Sequence, residues 1–185
     1  MKKFVGNLLL SNPIINPEHL ARSVLLCISH AGDTAVALQI NKIQFDTNLS
    51  NIASNLGINY RNPDPIWYGG NLSTDKIHII HSLDWRGMST IALTKNIGIT
   101  HDISILSAMS LGQGPRFFKA CAGCWLFDNG RLDRQLSKEF DPQDPLKWEI
   151  LPATLENVFM IDPDEMWESC LQNSIIRNVN NYFSY

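Results

Sequence analysis

The sequence predicts a single α+β domain with a mixed, mostly antiparallel sheet, and three observations carry that expectation. Two apolar, β-branched runs at 23–30 and 34–41 flank Ala31-Gly32-Asp33, which is hairpin spacing with Gly and Asp supplying the turn. Segments with helical spacing are interleaved with strands, yet several strands join as hairpins, which disfavours a doubly wound parallel sheet. Finally, 185 residues at 44% hydrophobic content supply one sizeable core but not two.

The elements follow in order. Met1-Lys2-Lys3 opens like a secretion signal, but Gly6 and Asn7 interrupt the apolar run and no small-residue cleavage site follows, so the stretch 1–10 predicts a first strand. Pro13 and Pro17 make residues 11–18 a loop, with a short helical turn over 19–22. Residues 23–30 are apolar on both faces, which places that strand inside the sheet. Leu49, Ile52, Ala53 and Leu56 recur at helical spacing, and Gly57 is placed to end the helix. A rigid linker over 61–65 then leads into Ile66-Trp67-Tyr68-Gly69-Gly70, a short buried strand closed by adjacent glycines. Such a pair marks a place where side chains would obstruct a neighbouring backbone or where φ turns positive. It suits a tight sheet corner, and it equally suits a turn left open to a partner or ligand.

Further strands are predicted at 76–82, 88–94 and 97–100, with an exposed turn at Asp84-Trp85-Arg86-Gly87. Thr100-His101-Asp102 offers an N-cap to a helix that Gly112 closes. Residues 117–127 read as a buried strand, and Asp128-Asn129-Gly130 introduces a helix with Leu132, Leu136 and Phe140 on one face. A C-terminal section begins at Trp148, and Asp162-Pro163-Asp164-Glu165 starts the last helix. The domain is expected to span 1–172, with 173–185 as an Asn-rich tail ending in aromatics.

The chemistry-bearing residues form no complete catalytic motif: the hydrolase elbow, a phosphate-binding Walker loop and His-Glu-x-x-His are all missing from the sequence. Four cysteines without a secretion signal point to reduced thiols and a cytoplasmic protein. Cys121-Ala122-Gly123-Cys124 could serve redox or zinc chemistry, but it lies in a strand pattern and no second ligand pair follows, so two core cysteines are expected. His78 and His81 lie three apart on a strand and should point to opposite faces, one inward and one outward. His30, His81 and Asp102 are a possible cluster for a hydrolase or metal enzyme, if the fold unites them. No catalytic residue, metal or cofactor is assigned.

Across nearly the whole chain, roughly 4–171, a set of short signatures is spaced in a recognisable way. These are Gly6 to Leu10 with Pro13, Arg22-Ser23-Val24 running to His30, Ala35 to Lys42, Gly69-Gly70, His81, Thr100 and Asp102. Ala122-Gly123, Trp125, Gly130, Leu132, Trp148, Pro152-Ala153, Val158-Phe159 and Trp167 continue the series. Their order resembles the AlgH/YqgE-like family of bacterial proteins. The resemblance implies a partly split barrel surrounded by helices, and it brings the label of a transcriptional regulator. The chain departs from the family pattern where relatives read Glu-His-Asn against Ser29-His30-Ala31 and Gly-Gly-Pro against Gly69-Gly70-Asn71, and in the longer spacing from Trp125 to Gly130.

The function expected on these grounds is a non-enzymatic cytoplasmic binding or regulatory module. Its candidate groove comprises His30, Asn41, Gly69, Gly70, His81, Thr100, Asp102 and Trp125, and its partner is a protein segment or a small ligand. No apolar stretch reaches the ~20 residues that span a bilayer. The alternatives are a transcriptional regulator and the His30/His81/Asp102 enzyme. A net charge of −3 disfavours nucleic acid, and no recognition helix is legible. Sequence-specific DNA binding tighter than micromolar, measured by fluorescence anisotropy at about 150 mM salt, is therefore not expected, and finding it would promote the regulator.

Overall fold

The computed structural model describes residues 3–12, 14, 18–137, 139 and 141–182. Among these the chain runs through β1 (Asn7–Ser11), β2 (Val24–Ala31), β3 (Thr34–Gln39), β4 (Ile43–Asn48), α1 (Leu49–Asn55), β5 (Pro65–Tyr68) and β6 (Leu72–Ser82). It continues through β7 (Ile91–Ala92), β8 (Ile97–Thr100), α2 (Ser104–Ser110), β9 (Phe118–Phe127), α3 (Arg131–Leu136), β10 (Trp148–Pro152) and α4 (Pro163–Tyr182). A 3-10 turn at Glu18–Leu20 precedes β2, and a wide helical turn at Glu156–Met160 precedes α4.

The strands hydrogen-bond in the order β10-β1-β2-β3-β9-β6-β8-β7, each pair antiparallel. β5 joins β9 in parallel and carries β4 on its other edge. The sheet is thus mixed and mostly antiparallel, and it curls into a half barrel within one α+β domain, as expected. It splits at β9, whose last residues face β3 while its middle is shared between β5 and β6.

That sharing explains the glycines. Ala120 is paired with Ile66 of β5 and with Ile79 of β6, so those two strands lie on opposite edges of β9. Between Tyr68 and Leu72 the chain must therefore cross over the β9 backbone. A Cβ on Gly69 would lie 2.3 Å from the Gly123 carbonyl oxygen, and one on Gly70 would lie 2.1 Å from the Cys124 carbonyl carbon. Gly123, held at φ +74°, would in turn drive a Cβ to 2.5 Å from the Gly70 oxygen. The crossing is tied by Gly69 N donating to Ala122 O at 2.8 Å and by Gln39 N donating to Gly69 O at 2.8 Å. Neither Gly69 nor Gly70 has a positive φ; close backbone approach is what excludes a side chain there.

Strand alternation sorts the apolar residues onto two faces. Leu8, Leu10, Leu26, Leu38 and Ile80 fill the inside of the curl together with Met166, Trp167 and Cys170 of α4. Leu9, Leu25, Cys27 and Ala37 face outward, under Leu132 of α3 and Trp148. A third cluster packs Leu49 and Ala53 of α1 and Ile105 and Leu106 of α2 on Ile66, Ile79, Ala120 and Ala122. Both faces of β2 are buried for this reason, and it lies inside the sheet as its composition predicts.

Several expectations are corrected. Strand β4 was not foreseen, because Asn48 also caps α1 and masks the end of the strand; its side chain accepts from Asn51 N at 3.0 Å. The strand expected over 88–94 shrinks to Ile91–Ala92, and the one over 34–41 stops at Gln39. The expected tail from 173 is helical to Tyr182, and Ser174 is buried. Pro13, Pro17, Phe140 and residues 183–185 lie outside the described residues. Cys27, Cys121 and Cys170 are free and buried and Cys124 is half-buried; desolvation pushes the Cys27 and Cys121 thiols up to about 12, where they are not nucleophiles. Among the described residues no helix is long and apolar enough to cross a membrane.

The atoms that a Gly70 side chain would strike are all backbone and cannot swing aside. Gly70→Ala is expected to cost about 3 kcal/mol or more. Urea unfolding checks this, with Gly32→Ala, whose Cβ meets nothing within 4 Å, as the milder control.

Candidate functional site

The structure does not gather the eight candidate groove residues into one groove: Asn41, Gly69, Gly70, His81 and Trp125 lie apart from the other three. Asn41 is spent on the backbone: its Oδ1 accepts from Val24 N at 3.0 Å and its Nδ2 donates to Arg22 O at 2.8 Å, locking the end of β3 to the start of β2. Gly69 and Gly70 are buried in the crossing, and the Gly69 amide is already donated to Ala122 O. Trp125 stands edge-on to Tyr68 at 6.5 Å and lines a separate cavity of about 530 Å³ with His19, Arg131 and Trp148. His81 is fully buried; its Nδ1 lies 2.9 Å from Ser82 O and its Nε2 3.5 Å from Thr90 Oγ1.

His30, Thr100 and Asp102 do come together, in a cleft between the β2–β3 turn and the β7–β8 edge. A cavity of about 610 Å³ is lined by Val5, Ile28, Ser29, His30, Ile91 and His101, among others. A second, of about 420 Å³, is lined by Ser89, Thr100 and Asp102. The two share Ile91, Ile99 and His101 as lining and so lie side by side, as two halves of one cleft region. His30 is buried in its wall, stacked on Phe4 at 5.0 Å, with Nε2 3.4 Å from Asp133 Oδ2. At the other end Thr100 Oγ1 lies 2.9 Å from Ser89 Oγ and accepts from Asp102 N at 3.0 Å. Asp102 Oδ1 accepts from Ser104 N at 2.9 Å, and this amide holds its carboxyl below the usual range.

The cluster of His30, His81 and Asp102 is therefore not assembled. His81 lies outside the cleft, and the Asp102 carboxylate is occupied in turning the chain into α2. Among the described residues no group of three or more His, Cys, Asp or Glu side chains is placed to hold a metal ion. Sequence reasoning missed His101 in the cleft lining, read only as part of a cap, and Asp133, which lies behind His30 and not in the lining itself. No local pattern marks Asp133, because its relation to His30 exists only once α3 packs on β3 and β10.

His78 and His81 do point to opposite faces, but neither is outward, because both faces of β6 are covered there. His81 meets the Trp85 ring edge-on at 5.3 Å, and His78 meets His101 edge-on at 4.7 Å. Neither ring nitrogen of His78 has a hydrogen-bond partner. Desolvation, with the charges of His101 and Lys76 behind it, pushes His78 down to about 4, and burial lowers His81 as well.

Comparison with known proteins gives a consistent picture. Residues 8–178 match a family model described as AlgH-like. A UPF0301 protein of Methylococcus capsulatus is 26% identical over 171 residues, covering 91% of this chain and 90% of that protein. Another, from Gluconobacter oxydans, is 26% identical over 170 residues, covering 90% and 88%. Among solved structures, the solution structure of the AlgH protein from Pseudomonas aeruginosa superposes with a TM-score of 0.72 at 22% identity, covering 90% of this chain and 86% of that one. A crystal structure of a Corynebacterium diphtheriae protein gives 0.70 at 16% identity, covering 91% and 85%. The two structural likenesses establish the fold.

The buried neutral His78 generates a pH dependence whose sign is fixed. Its folded pKa lies below the ordinary 6.5, so the unfolded chain accepts a proton that the folded one refuses. Its contribution is whole above pH 6.5, falls as the pH drops toward 4, and amounts to a loss on the order of 3 kcal/mol. Urea midpoints at pH 7.5 and 4.5 should therefore differ less in His78→Leu than in the native protein; equal differences would remove His78 as the source.

Proposed function

The chain belongs to the AlgH-like family, whose function is uncharacterised, and from its own cleft we propose that it is a non-enzymatic cytoplasmic module that binds a short protein segment or a small ligand. The observation carrying this reading is the pair of adjoining cavities that share Ile91, Ile99 and His101. Their walls are Val5, Ile28, Ile91 and Ile99, with His30, His101 and Asp102 as isolated polar marks, the balance found in binding pockets. The polar groups at the Thr100 end are tied to one another and to the backbone, so they supply shape more than reactivity.

An extended peptide suits the place. β7 ends the hydrogen-bonded order of the sheet and holds only Ile91 and Ala92, both exposed, so a visiting strand has an edge to join and apolar pockets beside it. The approach of His30 to Asp133 is the arrangement that favours an acid–base enzyme instead.

A groove-blocking variant must leave the fold intact, and Ile91 allows this, being 52% exposed and shared by both halves of the cleft. Ile91→Glu should change stability by less than about 0.5 kcal/mol. In affinity capture from native cell extract with the whole chain as bait, a partner or ligand should be enriched on the native protein and reduced at least tenfold on Ile91→Glu. Equal capture by both would remove the cleft as the binding site. A turnover activity lost in His30→Gln at unchanged stability would replace the binding module with the enzyme.

A further inference from the structure

Outside the cleft, Lys119 is a lysine in an unusual position. It lies in β9 between Phe118 and Ala120, and only 5% of its surface is exposed. Its Nζ donates to Ile40 O at 2.8 Å and sits 3.6 Å from the centroid of the Trp67 ring. Among the described residues no carboxylate forms an ion pair with it. An ammonium carries three N–H donors, and Ile40 O accepts one. The Trp67 face offsets part of the lost hydration but accepts no further hydrogen bond of ordinary strength.

This group lines a cavity of about 220 Å³ together with Asp64, Pro65, Trp67, Arg116, Phe117 and Phe159, among others. The walls are largely aromatic: Phe117 stacks against Phe159 at 6.0 Å, and the Arg116 guanidinium lies over Phe117 at 5.1 Å. Asp64, the acidic group in the lining, has its carboxylate bonded to the Tyr60 hydroxyl. The lining thus combines a buried cation, a second cation and flat apolar side chains. The cavity's volume lies below the roughly 300–1,000 Å³ of drug-sized sites, which suits a compact ligand.

We propose that this cavity is a binding site for a small organic carboxylate with an apolar body, its carboxylate received by Lys119 and its body seated between Trp67, Phe117 and Phe159. The site is separate from the cleft and does not depend on the binding-module reading. Burial lowers Lys119 to about 8, which still leaves the amine mostly protonated at neutral pH and so able to receive an anion. Sequence carries one signal of it, a lone charge inside the apolar run Phe117-Phe118-Lys119-Ala120-Cys121.

Benzoate and its neutral counterpart benzamide are the probes, titrated into the whole ¹⁵N-labelled chain and followed by amide and indole shifts. Benzoate should bind at least tenfold more tightly than benzamide, with the largest shifts at Trp67, Lys119, Ala120 and Phe159. Lys119→Met, if its amide spectrum remains that of the folded protein, should lose the preference for benzoate, and Lys119→Arg should retain part of it. Equal binding of the two probes to the native protein, benzoate shifts centred elsewhere, or a folded Lys119→Met that still prefers benzoate would each overturn the proposal. Because the first two results come from the native chain, a Lys119→Met that fails to fold leaves the test decisive.

Discussion

The contact on which the rest of the structure depends is backbone against backbone, where Gly69 and Gly70 pass over Gly123 and Cys124. β9 can take β5 on one edge and β6 on the other only if the chain joining those strands crosses it, and the crossing has no room for a Cβ on Gly69, Gly70 or Gly123. From that point the two halves of the sheet diverge. One follows β3, β2, β1 and β10; the other follows β6, β8 and β7, with α1 and α2 covering its outer face. The cleft and the Lys119 cavity are both lined by residues from the resulting curl: β2 with β7 and β8 in one case, β5 with β9 in the other.

Much of this fold was legible in the sequence. The β2–β3 hairpin, the inner position of β2, the helix starts at Asn48 and Asp162 and the glycine corner all follow from local rules of turn chemistry, capping and periodicity, and nothing in the tertiary packing opposes them. The misses share a physical cause. β4 pairs only with β5, and its end doubles as a helix cap, so its sequence has to satisfy two roles at once. The expected outward histidine of β6 is inward because the Trp85 turn folds back onto His81 while His101, from beyond β8, packs on His78, which no period-two pattern encodes.

The candidate site was less legible, because a polar residue in a sequence looks the same whether it serves a ligand or the protein's own backbone. Asn41 and Asp102 are both satisfied by main-chain groups, one joining two strands and the other opening a helix. Only the fold distinguishes them from His30, which is buried in a cleft wall. Lys119 illustrates the converse: a residue with the least expected chemistry for its surroundings, inside a strand, is the one whose placement calls for a chemical explanation.

The pairing of β1 has a consequence for how this chain is made. One edge of β1 can close on β2 almost as soon as both leave the ribosome, but its other edge belongs to β10, where Ser11 meets Trp148 and Asn7 meets Pro152. At the ~5–20 residues per second of chain synthesis, that edge waits on the order of ten seconds for its partner. During the wait Leu8, Leu9 and Leu10 stand beside a row of unpaired amides, a template for any passing strand. The protein should therefore be most prone to aggregation during its own synthesis, and a chaperone that engages nascent chains would find its first substrate feature there.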